Sequence, residues 1–452
     1  MKNRRRHQPS KQKQSKTVMP EAGPRQLVHI EKAIYGGAFL ARAEGKAVFV
    51  PLTLPGETAA VRITEEKRGY ATAELDEIIT PGPERVPALC RHFGTCGGCQ
   101  YQHTDYVTQL ALKQAILRET LERGRVPVPD NLEVLAGTEA EAWGYRNRIR
   151  LAFDANGNPG YRGRRSNAVV PIAECPIAAP LLVRAALSFA DLVRRVAPQL
   201  RAQELSLFCD ATESSLLATV FVRSAPSGIL DPLARAMAER IPEFKGMELV
   251  AVAGAQSKEQ APRSIDQWGE THLAYRAAGF DYRVDNGAFF QVNRRLVDPL
   301  VERVTARRNG TVAWDLFAGV GLFARKLTSS FERVVAVESA PAAIPGLEAN
   351  LLGTSGTAVQ AWTLDFLRRR AKSEHPDLIV VDPPRAGLGA EITSVLADIG
   401  APALTYVSCD PATLARDLRA LMDSGYSIES MTLADLFPQT FHLETVVHLR
   451  CA

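Results

Sequence analysis

Beyond Phe290 the sequence alternates short apolar runs with segments of helical periodicity, and this alternation limits the possible folds more than any other feature. The apolar runs include WDLF, VVAVE, DLIVVD, LTYVS and TVVHL. Runs that lack polar alternation are typical of parallel strands buried on both faces, each followed by a helix that covers the sheet. The sequence therefore predicts an α/β domain with a parallel sheet over residues 286–452.

The region between Leu27 and Ile79 follows a different pattern, in which apolar and polar residues alternate along short runs. Turn signals such as Gly36-Gly37 separate these runs. Short alternating strands joined by tight turns predict a small antiparallel barrel, similar to the oligonucleotide-binding (OB) type. We expect this barrel to occupy residues 25–82.

Residues 83–285 begin with several prolines and then return to strand-like segments. The spacing of apolar residues predicts a helix over residues 105–122, and Asn156-Gly157 is a hairpin signal between two strands. Further strand-like runs, LSLFCDA and LLATVFVRS, follow. We therefore expect a β-rich central domain, and a chain of 452 residues is long enough for three domains.

Composition argues against a membrane protein and a secreted one. Hydrophobic residues make up 46% of the chain and charged residues 23%, and the longest apolar runs end well before the ~20 residues that a membrane span needs. The N-terminal segment lacks the apolar core of a signal peptide. We expect a cytoplasmic protein without a membrane partner, and no obligate protein partner is evident.

Residues 1–24 form a polar segment whose first part is strongly basic. Between Met1 and Lys16 there are seven Lys or Arg residues and no acid. Such a segment buries too little apolar surface to fold, so we expect it to be disordered. It is either an arm that binds nucleic-acid phosphates or a solvated tail, and the sequence leaves both open.

A glycine-rich loop in WDLFAGVGLFARKL follows the first strand of the α/β domain. Gly319 and Gly321 permit a sharp turn and a close approach of a ligand to the backbone. Glu338 ends the next strand, where an acid accepts hydrogen bonds from both hydroxyls of a ribose. Asp365 follows the third strand and is placed to reach an adenine edge. Asp382 stands at the carboxyl end of the next strand, where open parallel sheets bind ligands.

These features fit either a dinucleotide or S-adenosylmethionine. A dinucleotide site favours a third glycine at the position of Ala324, although that fingerprint also tolerates alanine. The DPP tripeptide that begins at Asp382 and the position of the loop late in the chain favour the methyl donor. The sequence therefore predicts a Rossmann-like methyltransferase domain.

Two further segments point to the reaction. In YVSCDPATLARDL, Cys409 lies between a buried strand and a helix whose N-terminal amides favour a thiolate. In DLFPQTFHLETVVHL, His442 and Glu444 lie just before or on the last strand. A thiolate that adds to carbon 6 of uracil makes carbon 5 nucleophilic enough to accept a methyl group, and a carboxylate can then remove the carbon-5 proton.

Each of these two residues also has an ordinary explanation. Cys409 could be a buried structural cysteine, and Glu444 could be a solvated acid at a strand end. Both residues in one α/β domain with a donor loop favour the catalytic interpretation, with Cys409 as nucleophile and Glu444 as base.

Four of the seven cysteines form a separate group. Cys90, Cys96 and Cys99 lie in CRHFGTCGGC, and Cys175 precedes a proline much later in the chain. Four thiolates supplied from loops bind either zinc or an iron–sulfur cluster, and their spacing does not separate the two.

These segments together resemble the uracil-C5 RNA methyltransferase family, a class I group that uses S-adenosylmethionine and modifies transfer or ribosomal RNA. Residues 27–79 resemble its TRAM RNA-binding barrel, and CRHFGTCGGC with ECP at Cys175 resembles its cluster motif. FFQVN, DLFAGVGLF, VVAVE, DPPRAGL, SCDPATLARDL and LFPQTFHLE are similar to its catalytic motifs, in family order. The resemblance covers nearly the whole chain after the basic tail.

The resemblance implies 5-methyluridine in ribosomal or transfer RNA as the product, with Cys409 as nucleophile and Glu444 as base. It implies a 4Fe-4S cluster at the four-cysteine site, with a structural role because methyl transfer needs no electrons; a redox-sensing role stays open. The donor site that it implies consists of Gln291, Phe317, Glu338, Asp365 and Asp382.

The chain departs from the family pattern at two positions. Asp410 stands where the family usually has asparagine, which bears on uracil recognition. Leu322 replaces a residue that is often polar, which bears on one donor contact. Neither departure removes a chemical group that the mechanism needs.

Arginines interleaved with aromatic residues in the central domain are typical of an RNA contact surface. For any single arginine, a solvated sheet face is the other explanation. A uracil within folded RNA must also be turned out of its stack to reach a thiol. The candidate contacts are Arg146, Arg148, Arg162, Arg164 and Arg165, beside Tyr145 and Tyr161.

Two other functions stay open from the sequence. An N-methyltransferase acting on an exocyclic amine would follow its DPP segment with an aromatic residue, where this chain has Arg385. A non-catalytic iron–sulfur RNA-binding protein would not need both Cys409 and Glu444.

Overall fold

The structure is a computed structural model, and the residues that it describes are 25–252, 263–305, 308–370 and 373–451. The predicted basic tail, residues 1–24, lies outside the described residues. Within these ranges, no helix is both long enough and apolar enough to cross a membrane.

The described chain divides into two compact units. Residues up to Lys32 and the segment Ala38–Gly82 form the smaller unit. The segment Ala33–Gly37 belongs to the larger unit, together with the residues from Pro83 onward.

The smaller unit is a closed barrel of five short strands. Its strands are β1 (Arg25–Ala33), β2 (Ala38–Ala43), β3 (Lys46–Pro51), β4 (Thr58–Glu66) and β5 (Tyr70–Thr80). They are arranged in the order β1-β2-β3-β5-β4, and β3 and β5 run parallel. Alternate side chains such as Phe39 and Val50 are fully buried, as the alternating pattern requires. The predicted barrel is confirmed.

A seven-stranded sheet covered on one face by two helices forms the middle of the chain. The elements of this region are α1 (Tyr106–Arg123), β6 (Glu133–Leu135), a 3₁₀ turn (Ala140–Ala142), β7 (Arg148–Phe153), β8 (Pro159–Arg162), β9 (Val169–Pro171), α2 (Pro180–Val196), β10 (Ala202–Cys209), β11 (Leu216–Val222), α3 (Leu230–Arg240), β12 (Phe244–Ala251), β13 (Arg263–Gly269), β14 (His272–Ala277) and β15 (Phe280–Asp285). The sheet order is β13-β12-β11-β10-β7-β8-β9. Apolar residues of α2 and α3, such as Phe189 and Met237, pack against inward residues of these strands.

Two local predictions in this region are confirmed. The helix expected over residues 105–122 is α1, and the side chain of Asp105 caps it by accepting from the amide of Thr108 at 2.7 Å. The hairpin expected at Asn156-Gly157 joins β7 and β8, and Gly157 has a φ of +76°.

The last part of the chain forms, with helices, seven strands of an eight-stranded sheet whose remaining strand is β6, which confirms the α/β prediction. Its elements are α4 (Val297–Thr305), β16 (Gly310–Leu316), α5 (Leu322–Leu327), β17 (Phe331–Glu338), α6 (Ile344–Leu351), β18 (Gly356–Gln360), α7 (Thr363–Arg370), β19 (Leu378–Val381), α8 (Gly389–Ile399), β20 (Ala403–Ser408), α9 (Pro411–Asp423), β21 (Tyr426–Ala434) and β22 (Glu444–Cys451). The sheet order is β18-β17-β16-β19-β20-β22-β21-β6, with β16 to β20 parallel.

The reversal of chain direction at β22 positions the residues predicted to be catalytic. β22 runs antiparallel between β20 and β21, and Ser408 of β20 pairs with Thr445 of β22. The neighbours of this pair, Cys409 and Glu444, are therefore adjacent at one edge of the sheet. Asp382 follows β19 at the same edge, because β19 and β20 are parallel neighbours.

The boundary expected between residues 285 and 286 is not visible as a break in packing. β6, from the region assigned to the central domain, pairs with β21 of the eight-stranded sheet. The β14–β15 hairpin contributes Tyr275 and Tyr282 to the same apolar core as Leu300 of α4. The division into central and methyltransferase domains stays a prediction.

Candidate active site

A cleft beside the carboxyl ends of β16 and β19 brings together three of the predicted donor-site residues. Gln291, Phe317 and Asp382 line this cleft, together with Gly319 of the glycine-rich loop. Phe289, which the sequence analysis missed, also lines it and leaves 63% of its surface exposed. The cleft therefore combines aromatic faces with a carboxyl group and an amide.

The glycine-rich loop follows its path because several residues adopt left-handed backbone conformations. Gly319 and Gly321 have φ values of +56° and +84°, which glycine adopts without steric cost. Phe317 has a φ of +65°, which is costly for a residue with a bulky side chain. Such strain persists only where the surrounding structure enforces it, and it is concentrated at ligand sites.

Glu338 is held at the end of β17 by main-chain amides. Its carboxylate accepts hydrogen bonds from the amide of Gly319 at 2.8 Å, of Ser339 at 2.6 Å and of Ala340 at 2.7 Å. These contacts fix the acid beside the glycine-rich loop, which is the position expected for a ribose-binding acid.

The segment that carries Gln291 is held by Asn147, which directly precedes β7, and by Arg148, the first residue of β7. The side-chain amide of Asn147 donates to the main-chain oxygen of Gln291 at 2.9 Å. Arg148 donates to the main-chain oxygen of Ala288 at 2.5 Å, and its guanidinium lies 4.2 Å from the ring centre of Phe208. Arg148 was a candidate RNA contact, but its guanidinium instead contacts the residues that support the cleft.

Asp365 is exposed in the first turn of α7 and does not line the cleft. The amide of Ala361 donates to the main-chain oxygen of Glu338 at 3.0 Å, which places the start of α7 beside the end of β17. Trp362 follows with 71% of its surface exposed. The role of Asp365 as an adenine contact stays a prediction.

Two carboxyl groups behind the glycine-rich loop have raised pKa values. Asp315 is fully buried; one of its oxygens accepts from the amide of Ala324 at 2.8 Å, and the other has no partner in the described part of the chain. Burial raises the pKa of Asp315 to about 8, and the charges of Asp382 and Glu338 act in the same direction. Burial also raises the pKa of Asp382 to about 7.

The proposed nucleophile and base share this electrostatic environment. Burial raises the pKa of Cys409 to about 12; the charges of Glu444 and Asp382 also raise it, and Arg385 opposes them. Glu444 is 5% exposed, and burial followed by the charge of Asp382 raises its pKa well above the usual range. Burial and these charges therefore favour the protonated thiol and the carboxylic acid.

The expectation that helix amides favour a Cys409 thiolate is wrong, because those amides are bonded to another side chain. The first free amides of α9, those of Ala412 and Thr413, both donate to the carboxylate of Asp410 at 3.0 Å. Asp410 therefore takes the amides that would have stabilised the thiolate, and its own charge also raises the pKa of Cys409.

The loop between β21 and β22, residues 435–443, leads directly to Glu444 and is fixed from α1 by a buried ion pair. Lys113 and Asp435 form this pair at 2.6 Å, and both side chains are fully buried. Lys113 also donates to the main-chain oxygen of Phe437 at 2.9 Å. The hydroxyl of Tyr106 donates to the second oxygen of Asp435 at 2.8 Å.

Gln439 connects the same loop to the cysteine segment. It has a φ of +68°, and its main-chain oxygen accepts from the amides of Gln100 and Tyr101 at 3.0 and 3.1 Å. Its main-chain amide and its side-chain oxygen both bond to the side-chain amide group of Gln109, each at 2.9 Å. The residues directly after Cys99 thus position the loop before the proposed base.

His442 lies on this loop beside a cationic side chain. A guanidinium nitrogen of Arg385 is 3.1 Å from Nδ1 of His442. Burial and the charge of Arg385 lower the pKa of His442 to about 4, so the imidazole is neutral and accepts from the guanidinium. The ring of Phe441 lies 4.2 Å from the imidazole.

The four grouped cysteines line one cavity of about 340 Å³. Burial raises the pKa of Cys99 to about 12, and Cys175, Cys96 and Cys90 each contribute in the same direction. In the described ranges, no group of three or more His, Cys, Asp or Glu side chains is arranged to hold a metal ion directly. The four cysteines of the predicted metal site therefore lie around one cavity, but metal binding there is not confirmed.

Several of the candidate RNA-binding arginines support this cavity. Arg146 lines it. The main-chain oxygen of Arg162 accepts from the amide of Gly97 at 3.0 Å, and the amide of Arg164 donates to the main-chain oxygen of Thr95 at 3.0 Å. The backbone of this basic segment therefore holds the cysteine loop in place.

Three further residues near the candidate site that the sequence analysis missed lie far along the chain from their partners. Lys113 and Asp435 are 322 positions apart, and Tyr35, whose hydroxyl donates to the main-chain oxygen of Cys409 at 3.1 Å, is 374 positions from it. Only Lys113 carried a usable signal, since a charged residue stood among the apolar positions of a predicted helix.

Family models and known proteins match this chain. Residues 369–452 match the family model tRNA (Uracil-5-)-methyltransferase, and residues 21–75 match the TRAM domain model. A relative from Streptomyces avermitilis, named as an uncharacterized RNA methyltransferase, is 33% identical over 447 residues, which cover 94% of this chain and 98% of the relative.

A further relative and a solved structure are similar over nearly the whole chain. The 23S rRNA (uracil(1939)-C(5))-methyltransferase RlmD of Halomonas elongata is 32% identical over 450 residues, covering 94% of this chain and 89% of the relative. The tRNA (uracil-54, C5)-methyltransferase of Pyrococcus abyssi, solved in complex with S-adenosyl-L-homocysteine, matches with a TM-score of 0.73 and 22% identity, covering 93% of this chain and 100% of that chain. This structural likeness supports the fold.

We expect the buried Asp315 carboxyl to make the ligand-free protein less stable as the pH rises. The pKa of Asp315 is about 8 in the folded protein and lower in the unfolded chain. The contribution of Asp315 to the free energy of unfolding is therefore complete at low pH and is lost between about pH 4 and 8. The slope is about 1.4 kcal/mol per pH unit for one proton. Asp315→Asn keeps the acceptor for Ala324 but removes the proton uptake, so its thermal melting temperature should fall less between pH 5.5 and 8. Equal slopes for the two proteins would contradict this assignment.

Proposed function

This chain belongs to the uracil-C5 RNA methyltransferase family, and from that premise we propose that it methylates carbon 5 of a specific uridine through a covalent bond to Cys409. The observation that carries the proposal is the meeting of Cys409, Glu444 and Asp382 at one sheet edge, fixed by the pairing of Ser408 with Thr445.

S-adenosylmethionine is the methyl donor that this family uses, and the cleft suits it. Phe317 and Phe289 offer apolar faces, Glu338 is placed for the ribose, and Gln291 and Asp382 offer polar contacts. Acidic groups suit a ligand with a positive sulfonium. When bound, the donor supplies an electrophilic methyl group.

The chain's own residues then perform three steps on the uracil. Cys409 releases its thiol proton to water, and its sulfur adds to carbon 6, so that the electron pair of the double bond between carbons 5 and 6 becomes available at carbon 5. After carbon 5 has gained the methyl group, Glu444 takes the carbon-5 proton. The electron pair of that C–H bond re-forms the double bond and expels the sulfur of Cys409.

The raised pKa values give the resting site a defined protonation state. The thiol of Cys409 and the carboxyl of Glu444 are both held protonated by burial and by the charge of Asp382. A positive ligand beside Asp382 offsets that charge and lowers both pKa values. A filled donor site therefore shifts both groups toward the thiolate and the carboxylate.

We propose ribosomal RNA as the substrate, with transfer RNA as the alternative. Three relatives at 30–32% identity, from Halomonas elongata, Pseudomonas entomophila and Klebsiella pneumoniae, are named as 23S rRNA methyltransferases. The TRAM barrel provides the expected RNA-binding module. An exocyclic amine as acceptor is disfavoured, because it would need no thiol.

We further propose that Cys90, Cys96, Cys99 and Cys175 hold a 4Fe-4S cluster. Four thiols around one cavity fit a cluster, because a cationic core would relieve the mutual repulsion that their thiolates would otherwise experience. The role is structural: the amides that follow Cys99 hold the carbonyl of Gln439 in the loop before Glu444.

Substitution of the proposed nucleophile and base should affect different steps. With uridine-containing RNA tritiated at carbon 5, Cys409→Ala should reduce tritium release at least ~10³-fold. Glu444→Gln should reduce it about 10²-fold, the size of a general-base contribution, and should accumulate a protein–RNA complex that survives denaturation. Cys451→Ala, at the far end of β22, is the matched thiol control and should keep full activity. Full activity of Cys409→Ala would exclude the covalent mechanism.

The cluster proposal is tested by metal content rather than by turnover. Protein reconstituted without oxygen should bind about four irons per chain and an equal amount of sulfide. Cys99→Ala should lower the iron content and Cys209→Ala should not, because Cys209 lies in the core of the central sheet. Stoichiometric zinc without iron would overturn the assignment.

A further inference from the structure

The segment Ala33–Gly37 contributes a side chain to the region of the proposed nucleophile. The hydroxyl of Tyr35 donates to the main-chain oxygen of Cys409 at 3.1 Å. Its ring packs edge to face against Phe441, with ring centres 5.5 Å apart and planes at 83°. Tyr35 therefore contacts both the residue proposed to attack the uracil and the loop that leads to the proposed base.

The path of this segment requires a glycine after Tyr35. Gly37 has a φ of +81°, and a Cβ atom built there would lie 2.7 Å from Gln100 and 3.1 Å from Phe441. The backbone of the segment therefore passes close between the cysteine segment and the loop of residues 435–443. This close packing limits how far Tyr35 can move relative to Cys409.

The carbonyl that Tyr35 binds is not used by the following helix. The main-chain ladder of α9 begins at Asp410, whose oxygen accepts from the amide of Leu414 at 3.0 Å. The oxygen of Cys409 precedes that ladder. An external donor is therefore needed to fix its direction.

The peptide unit that joins Cys409 to Asp410 is held at both of its polar groups. Tyr35 donates to its oxygen, and its N–H, which belongs to Asp410, donates to the hydroxyl of Ser408 at 3.3 Å. A peptide unit is planar, so these two bonds fix the rotation of the whole unit. That rotation sets the direction in which the Cα–Cβ bond of Cys409 presents its sulfur.

We propose, on the basis of the covalent mechanism above, that Tyr35 is a positioning residue that orients the Cys409 peptide unit so that the sulfur is directed at carbon 6 of the uracil. Burial and the neighbouring charge of Asp410 raise the pKa of Tyr35 above its usual value, so the hydroxyl keeps the proton that it donates. Tyr35 acts through the backbone of the nucleophile and takes part in no bond change.

The test compares two tyrosines that make the same kind of hydrogen bond. Tyr35→Phe keeps the ring and removes only the hydroxyl. Tyr426→Phe is the matched control, because the hydroxyl of Tyr426 donates to the main-chain oxygen of Ala401, also at 3.1 Å, at the start of β21. Single-turnover tritium release is measured with saturating RNA and donor, alongside the dissociation constants for both ligands and the melting temperature.

We expect Tyr35→Phe to slow the single-turnover step about fivefold, the effect of one net hydrogen bond, with both dissociation constants unchanged. Tyr426→Phe should leave the rate unchanged. Ser408→Ala acts on the same peptide unit, so its effect and that of Tyr35→Phe should not be additive in the double variant.

The outcomes separate this inference from the proposed function. If Cys409→Ala is inactive in the same assay while Tyr35→Phe matches wild type and Tyr426→Phe, the positioning role is wrong and the covalent mechanism stands. A rate loss in Tyr35→Phe that is accompanied by an equal loss of RNA or donor affinity also contradicts it. An active Cys409→Ala variant rejects the mechanism itself.

Discussion

The antiparallel pairing of β22 with β20 is the constraint on which the active site depends. In a wholly parallel sheet, the last strand would begin at the edge opposite to the carboxyl ends of its neighbours. Because β22 is reversed, it begins at the carboxyl edge. Its register, Ser408 opposite Thr445, brings Cys409 to Glu444, while the parallel neighbour β19 adds Asp382. A thiol and two carboxyl groups are thereby confined together in a buried space. Burial raises their pKa values, their mutual repulsion raises the pKa values of Cys409 and Glu444 further, and a positive ligand would offset that repulsion.

The position of Glu444 depends on the conformation of the preceding loop, residues 435–443. This loop is held by a segment from the other end of the larger unit. The buried Lys113–Asp435 pair and the hydrogen bonds of Gln439 fix it from α1 and from the residues after Cys99. A buried ion pair adds little net stability compared with apolar packing, but loss of one partner is costly. We interpret the pair as a device that selects one conformation of the loop. Under the proposed function, the four-cysteine site lies beside the proposed catalytic residues as a structural support and takes no part in electron transfer.

Residues with a local signature were predictable from the sequence. Gly319 and Gly321 lie where a strand must turn into a helix, and Cys409 and Glu444 lie at the ends of strands that their apolar runs revealed. Contacts set by tertiary structure were not. β6 is too short for a periodic signal, Tyr35 meets Cys409 across 374 positions, and the cap of Asp410 takes the amides that were expected to favour the thiolate. β6 and Tyr35 are positioned by partners that are far away in the sequence, so no local pattern reveals them. Asp410 is a neighbour of Cys409, but it competes for the same amide donors.

The most direct test of the account is to trap the sulfur on the pyrimidine ring. RNA that contains 5-fluorouridine at the target position cannot lose a proton from carbon 5, so an enzyme that works through addition should stall as a covalent complex when the donor is present. We predict that mass spectrometry of the digested complex will find the modified nucleotide on the peptide that contains Cys409, and that Cys409→Ala will form no complex. Attachment at another residue, or full methylation of ordinary RNA without any trapped species, would contradict the central claim.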